Sequence, residues 1–255
     1  MFDAVLLDVD GVLIKNPYRT IVFPEVARRI VKDAKVQDFV SFMMRESIRR
    51  IREGKLVGAY DWDDIVRTVC REIGASGSVS VVKVVEEVCS SSTQIVAYPD
   101  AIPVLLELKK RKMKLIALTN GFYNIVVPVL RKTGVLRLLD GVITPDRVGA
   151  AKPSPEIFLV ASKGADRPIF VGDNISVDIC GANSAGIPSV LLWRNLPIRL
   201  EEDPREKAVR AHSLGLIYEK LRSEATSFLA PKRGCVPDFL IQSLKELIQV
   251  IEMGC

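Results

Sequence analysis

The stretch that most constrains this chain lies within its first dozen residues, where Ala4-Val5-Leu6-Leu7 runs without a polar break into Asp8-Val9-Asp10-Gly11. An unbroken apolar run of this kind marks a strand covered on both faces, as in a parallel sheet sandwiched between helices. Side chains two apart on an extended segment point the same way, so Asp8 and Asp10 can converge at the strand's carboxyl end. Open α/β sheets hold their ligands at that end. Two carboxylates there repel each other unless a cation sits between them, and a divalent metal with oxygen ligands answers that need. A buried strand that simply ends in a polar turn reads the same way, and this stretch alone leaves both readings open.

Helical patterns follow. Pro24 to Lys35 reads as one helix and Val36 to Arg52 as the next, with Phe39, Val40, Met43, Met44, Ile48 and Ile51 as its apolar stripe. Arg45, Arg49, Arg50 and Arg52 read as the solvated face of that helix. Residues 54–58 form a glycine-bracketed loop, Asp61 caps a helix closed by Gly74, and Ser78 opens another reaching about Cys89. From Tyr98 onward helix and strand alternate. Apolar strands are expected at 115–118, 142–144, 169–171 and 190–192, separated by helices at 122–133, 156–163 and 176–186. Helical character returns between Glu201 and Leu229, followed by a strand within 237–241 and a last helix over 242–252.

Crossover lengths then become informative. A strand–helix–strand unit takes about 30 residues. Thr119 to Lys152 spans 33 positions and Lys152 to Asp173 spans 21, so neither connection has chain to spare, whereas Asp10 to Thr119 spans 109. The excess must leave the sheet just after the first strand, on the side of Asp8 and Asp10. The expected fold class is α/β: a Rossmann-like parallel sheet core from residues 1–14 and 99–255, with residues 15–98 inserted as an α-helical cap.

Three buried strands end on polar residues at one edge: Asp8 and Asp10, Thr119-Asn120-Gly121, and Gly172-Asp173-Asn174. Lys152, in the proline-fixed stretch Lys152-Pro153-Ser154-Pro155, can reach the same edge. Three carboxylates, a hydroxyl and a lysine suit a divalent cation beside a phosphoryl group. With no His or Cys among them, they do not suit zinc.

These segments resemble, in order, the four motifs of the haloacid dehalogenase (HAD) superfamily, over about residues 1–193. The insertion is similar to that family's helical C1-type cap, and the phosphoglycolate phosphatase-like branch is the part of the family most resembled. The resemblance implies a Mg2+-dependent phosphatase acting on a small phosphorylated metabolite through an aspartyl-phosphate intermediate. Asp8 would be the nucleophile, and Asp10 the acid that protonates the leaving oxygen and later activates water. Thr119, Asn120 and Lys152 would bind the phosphoryl group, Lys152 also steadying Asp8. Asp8, Asp10 (through its carbonyl) and Asp173 would hold the Mg2+, with Asp178 supporting them or reaching the ion through water. The family's dehalogenases lack the second acid, so Asp10 argues against that activity. No His follows the first motif, as sugar-phosphate mutases often have, and only Lys55 keeps a phosphonatase in view. The alternative from another class is a binding or regulatory protein on the same fold.

The remaining features bound the answer. A formal charge of +5, with dispersed basic residues, gives no footprint for nucleic acid, and no apolar run approaches a membrane span. Cys70, Cys89, Cys180, Cys235 and Cys255 are odd in number and scattered. They read as free thiols of a reducing compartment, which, with Met1 leading straight into the first strand, gives a cytoplasmic expectation. His212 has no constellation around it. Residues 194–234 lengthen a connection that is usually short and offer a partner surface or homodimer contact.

Overall fold

The computed structural model describes residues 2–75, 79–198, 200–230 and 234–254. Six strands, β1 (Ala4–Leu7), β2 (Lys114–Leu118), β3 (Gly141–Ile143), β4 (Pro168–Gly172), β5 (Ser189–Leu192) and β6 (Phe239–Ile241), form one sheet ordered β3-β2-β1-β4-β5-β6. Every pair is parallel. The alternation of side chains explains why β1 is apolar throughout. Val5 and Leu7 pack into the core on one face of the sheet, while Leu6 joins Ile116, Phe158 and Phe170 on the other.

Between β1 and β2 stand the helices of the long insertion: α1 (Phe23–Arg28), α2 (Val36–Arg52), α3 (Trp62–Glu72) and α4 (Val81–Ser91). The chain leaves and returns through a narrow neck, with Lys15 N donating to Val96 O and Tyr98 N to Leu13 O. Arg194, just after β5, ties both sides of the neck. Its guanidinium takes Asp100 at 2.8 and 3.0 Å and also donates to the carbonyls of Gly11 and Val12. Asp61 accepts from Asp64 N at the start of α3, the cap its position predicts.

The later crossovers carry α5 (Ala101–Lys110), α6 (Tyr123–Lys132), α7 (Pro145–Val148), α8 (Pro155–Ala161) and α9 (Cys180–Ser184). The segment between β5 and β6 holds α10 (Pro204–Ser213) and α11 (Leu216–Ser223), and α12 (Leu247–Met253) follows β6. Among the described residues no helix is long and apolar enough to cross a membrane.

Four sequence expectations need correction or limits. The helix expected from Pro24 to Lys35 breaks after Arg28 and resumes only as a short turn, Asp33–Lys35. Arg50 is not on a solvated face. It is buried beside Glu46 at 2.7 Å and Asp64 at 2.8 Å, and it donates to Gly58 O, pinning α2 to α3 and to the turn between them. Cys180 and Cys235 are not free thiols; a disulfide joins them across 55 residues, because the chain after α11 folds back onto the start of α9. Cys70 and Cys89 are free and buried, and Cys255 lies outside the described residues, as does the expected helix start at Ser78.

Candidate active site

The strand order reverses between β1 and β4, and their carboxyl ends open a crevice between them. The register sets Leu7 beside Val171, and Asp8 N donates to Val171 O at 2.9 Å, so Asp8 and Gly172 leave the sheet level with each other. Thr119 emerges on the other side of Asp8, at the end of β2. Asp8, Asp10, Thr119, Asn120, Lys152 and Asp178 all line one cavity of about 460 Å³. Its far wall comes from the helical insertion, with Tyr18, Arg19, Tyr60 and Trp62 facing the acids.

Lys152 is the cationic centre. Its Nζ lies 2.6 Å from Asp8 Oδ1 and 2.6 Å from Asp178 Oδ1, and the residue is only 2% exposed. Burial works against its charge, but Asp178 and Asp8 more than offset this and hold its pKa above the usual lysine value. The loop that delivers it is clamped by Asn120: Asn120 Oδ1 accepts from Lys152 N at 2.8 Å, and Asn120 Nδ2 donates to Lys152 O at 3.0 Å. The Asn120 side chain therefore positions the lysine.

Burial pushes the Asp8 carboxyl up to about 6, against the pull of Lys152. Asp10 goes further, to about 8, through burial and the charge of Asp8, which favours its protonated form. Its Oδ1 is buried and has no hydrogen-bond partner among the described residues, which is costly unless a ligand supplies one. Asp173 is held well above the usual carboxylate range by burial and by Asp8 and Asp178, partly relieved by Lys220 and Lys152. Thr119 Oγ1 accepts from Gly121 N at 3.1 Å, leaving its own hydrogen to donate into the cavity.

Carboxylate oxygens of Asp8, Asp173 and Asp178 lie within 4.8 Å of one another. An all-oxygen, crowded and poorly neutralised donor set of this kind fits a hard divalent cation. Two glycines make the crowding possible. Gly11, at φ +81°, leaves room for the Asp173 carboxylate, which a Cβ there would overlap. A Cβ on Gly172 would stand 2.5 Å from Asp178 Cβ. Gly172→Ala is expected to cost about 1–3 kcal/mol, the range for overpacking a tight core. A thermal melt together with a Mg2+ titration checks it, since the shifted Asp178 must also weaken metal binding.

Lys55 is solvent-exposed and paired with Glu53 at 2.8 Å, and it does not line the cavity. None of residues 54–58 lines the cavity, and the nearest residues beyond them that do are Tyr60 and Trp62. Neither residue carried a sequence signal, because an aromatic at a helix start reads as core. His212 is exposed on α10, away from the cavity.

The haloacid dehalogenase-like hydrolase family model matches residues 2–186. Among similar proteins, the glyceraldehyde 3-phosphate phosphatase of Methanopyrus kandleri is 29% identical over 202 residues, covering 76% of this chain and 85% of that protein. A plasmid-encoded phosphoglycolate phosphatase of Cupriavidus necator is 27% identical over 206 residues, covering 74% and 80% respectively. A HAD phosphatase structure from Thermococcus onnurineus superposes with a TM-score of 0.62 at 25% identity, covering 98% of this chain and 97% of that one. The L-2-haloacid dehalogenase of Xanthobacter autotrophicus shares the fold at a TM-score of 0.65 and 20% identity, with complete coverage of both chains.

Proposed function

Because this chain belongs to the haloacid dehalogenase-like hydrolase family and is a phosphoric monoester hydrolase, we propose that it hydrolyses a short phosphorylated metabolite through an aspartyl-phosphate on Asp8. The core of 1–14 and 99–255 carries the chemistry, and residues 15–98 cap it. The observation that carries this reading is the pairing at the crevice: an Asp8 carboxylate steadied by Lys152, beside Asp10, whose buried Oδ1 has no hydrogen-bond partner among the described residues.

Asp8 Oδ attacks phosphorus as the bond to the leaving oxygen breaks, and Asp10 gives that oxygen its proton. Asp10, now ionised, takes a proton from water. The resulting hydroxide displaces Asp8 from phosphorus, releasing orthophosphate. Thr119 and the backbone amides beyond β2 hold the phosphoryl oxygens, while Lys152 offsets the charge that builds up on them. Asp8, the carbonyl of Asp10 and Asp173 would hold Mg2+, with Asp178 supporting them, and the bound ion would supply positive charge to the phosphoryl oxygens. The small cavity agrees with relatives whose names specify glyceraldehyde 3-phosphate and phosphoglycolate. Lys55, exposed at the surface, gives a phosphonatase no imine-forming amine in the site.

Phosphate release from glyceraldehyde 3-phosphate, phosphoglycolate, phosphoserine and p-nitrophenyl phosphate, with and without Mg2+, tests the reading. Metal-dependent release from at least one short ester is expected, and no release from any of them refutes it.

The clustered acids also set a pH signature for metal binding. Folded-state values of about 6 for Asp8 and about 8 for Asp10, with Asp173 well above the carboxylate range, all exceed those of an unfolded chain. For a carboxyl, a raised folded value means that the metal-free protein loses stability as pH rises through it. Mg2+ needs Asp8 and Asp173 ionised and relieves their repulsion. Its stabilisation is therefore expected to be larger at pH 8 than at pH 5.5, measured as the Mg2+-induced rise in Tm at both pH values.

A further inference from the structure

The loop that carries Asp173 and Asp178 is held by a segment from elsewhere in the chain. After Asp173 the chain turns through Asn174 into a single wide turn, Ile175–Ile179, whose first two amides bond outside the turn. Glu224, just past α11, meets them: its two carboxylate oxygens accept from Ile175 N and Ser176 N, each at 2.7 Å. The Glu224 side chain is 6% exposed, and Lys220 Nζ pairs with it at 3.5 Å. Two residues on, Thr226 Oγ1 meets Ser176 Oγ at 2.6 Å, and Ser176 Oγ in turn donates to Asn174 Oδ1. Asn174 closes the circuit, its N donating to Asp178 Oδ2 at 3.1 Å and its Oδ1 accepting from Val177 N at 3.0 Å.

The same segment reaches further in both directions. Ser223, Ala225 and Thr226 line the active cavity itself. Phe228 lies 5.3 Å from the Arg52 guanidinium at the end of α2, so the segment touches the helical insertion as well as the core. The Cys180–Cys235 disulfide fastens its base to α9.

We propose that the stretch from α11 to Phe228 is a brace for the metal-binding loop, with Glu224 as its positioning residue. Charge-assisted bonds to two adjacent amides fix the turn, and with it the directions of Asp173 and Asp178. The brace rests on the phosphatase reading for its purpose, but its effect on Mg2+ is measurable without turnover.

The test is a Mg2+ titration by thermal shift on wild type, Glu224→Gln and Thr226→Val, with kcat and KM for p-nitrophenyl phosphate measured alongside. Glu224→Gln keeps the shape but replaces one charged acceptor oxygen by an amide donor that faces an N–H. Its Mg2+ midpoint is expected to rise about tenfold, in the range for losing a group that orients metal ligands. Thr226→Val should raise it less. In Glu224→Gln kcat should recover at saturating Mg2+ while KM stays near wild type. A lowered Tm with an unmoved Mg2+ midpoint would reduce Glu224 to a packing role and overturn the proposal, as would wild type with no Mg2+ response. Failure of the phosphatase reading would look different: no turnover in any variant, with the Mg2+ shift still present.

Discussion

Asp8→Asn is expected to abolish phosphate release, lowering kcat by roughly 10⁴-fold or more, the scale seen when a nucleophile that works as part of a unit is removed. Asparagine keeps the shape of the side chain but cannot form the covalent intermediate. The fold should survive. Asp8 is buried with its carboxyl pushed up to about 6, so its ionised form is costly to the metal-free protein above that pH. The variant sheds that cost, while Lys152 keeps its second partner, Asp178, at 2.6 Å. Tm at pH 7.5 without metal should therefore equal or exceed that of wild type. Phosphate release and a melt on the same sample decide it. A variant that folds yet still turns over would remove Asp8 from the nucleophile's role.

Lys152→Met has the largest expected effect on stability. The methionine fills much of the lysine's volume but leaves Asp8 and Asp178 facing each other, both buried, without the cation that joined them. Removing one partner from a buried ionic cluster costs about 3–5 kcal/mol. At about 2–4 °C per kcal/mol for a chain near this size, Tm should fall by roughly 10 °C or more. The sign of the pH dependence follows from the acids. Without Lys152 the pull that holds the Asp8 carboxyl down is gone and its folded-state value rises further, so the variant should recover stability as pH falls and Asp8 takes up its proton, and the deficit should be greater at pH 8 than at pH 5. Melts at both pH values check this. An equal deficit at both would mean that packing, and not charge, is what Lys152 supplies. Activity should be lost as well, because Asp8 is then neither steadied nor kept ionised.

Much of the site was legible because its signals are local. An apolar run that stops at Asp8, another that stops at Thr119 and a third that stops at Gly172-Asp173 each announce a buried strand and its polar end. Parallel pairing then brings those ends to one edge with no further information, since the crossover lengths allow little else.

What the tertiary structure alone decided are the pairings that span sequence distance. Asn120 is expected at the phosphoryl group through its backbone amide, and only the fold adds a second role, its side chain clamping the backbone of Lys152, 32 residues away. Arg50 sits at a helix position that reads as solvated, until Asp64 and Gly58 are folded against it. Cys180 finds Cys235, and Glu224 finds the amides of Ile175 and Ser176, across about fifty residues of chain with no shared motif. Periodicity and strand-end chemistry are written in neighbouring residues, so the sequence determined the sheet, the helical insertion and the acids at its mouth. A hydrogen bond between distant segments depends on where the intervening chain packs. The brace, the clamp and the inward face of the insertion were therefore settled only by the fold.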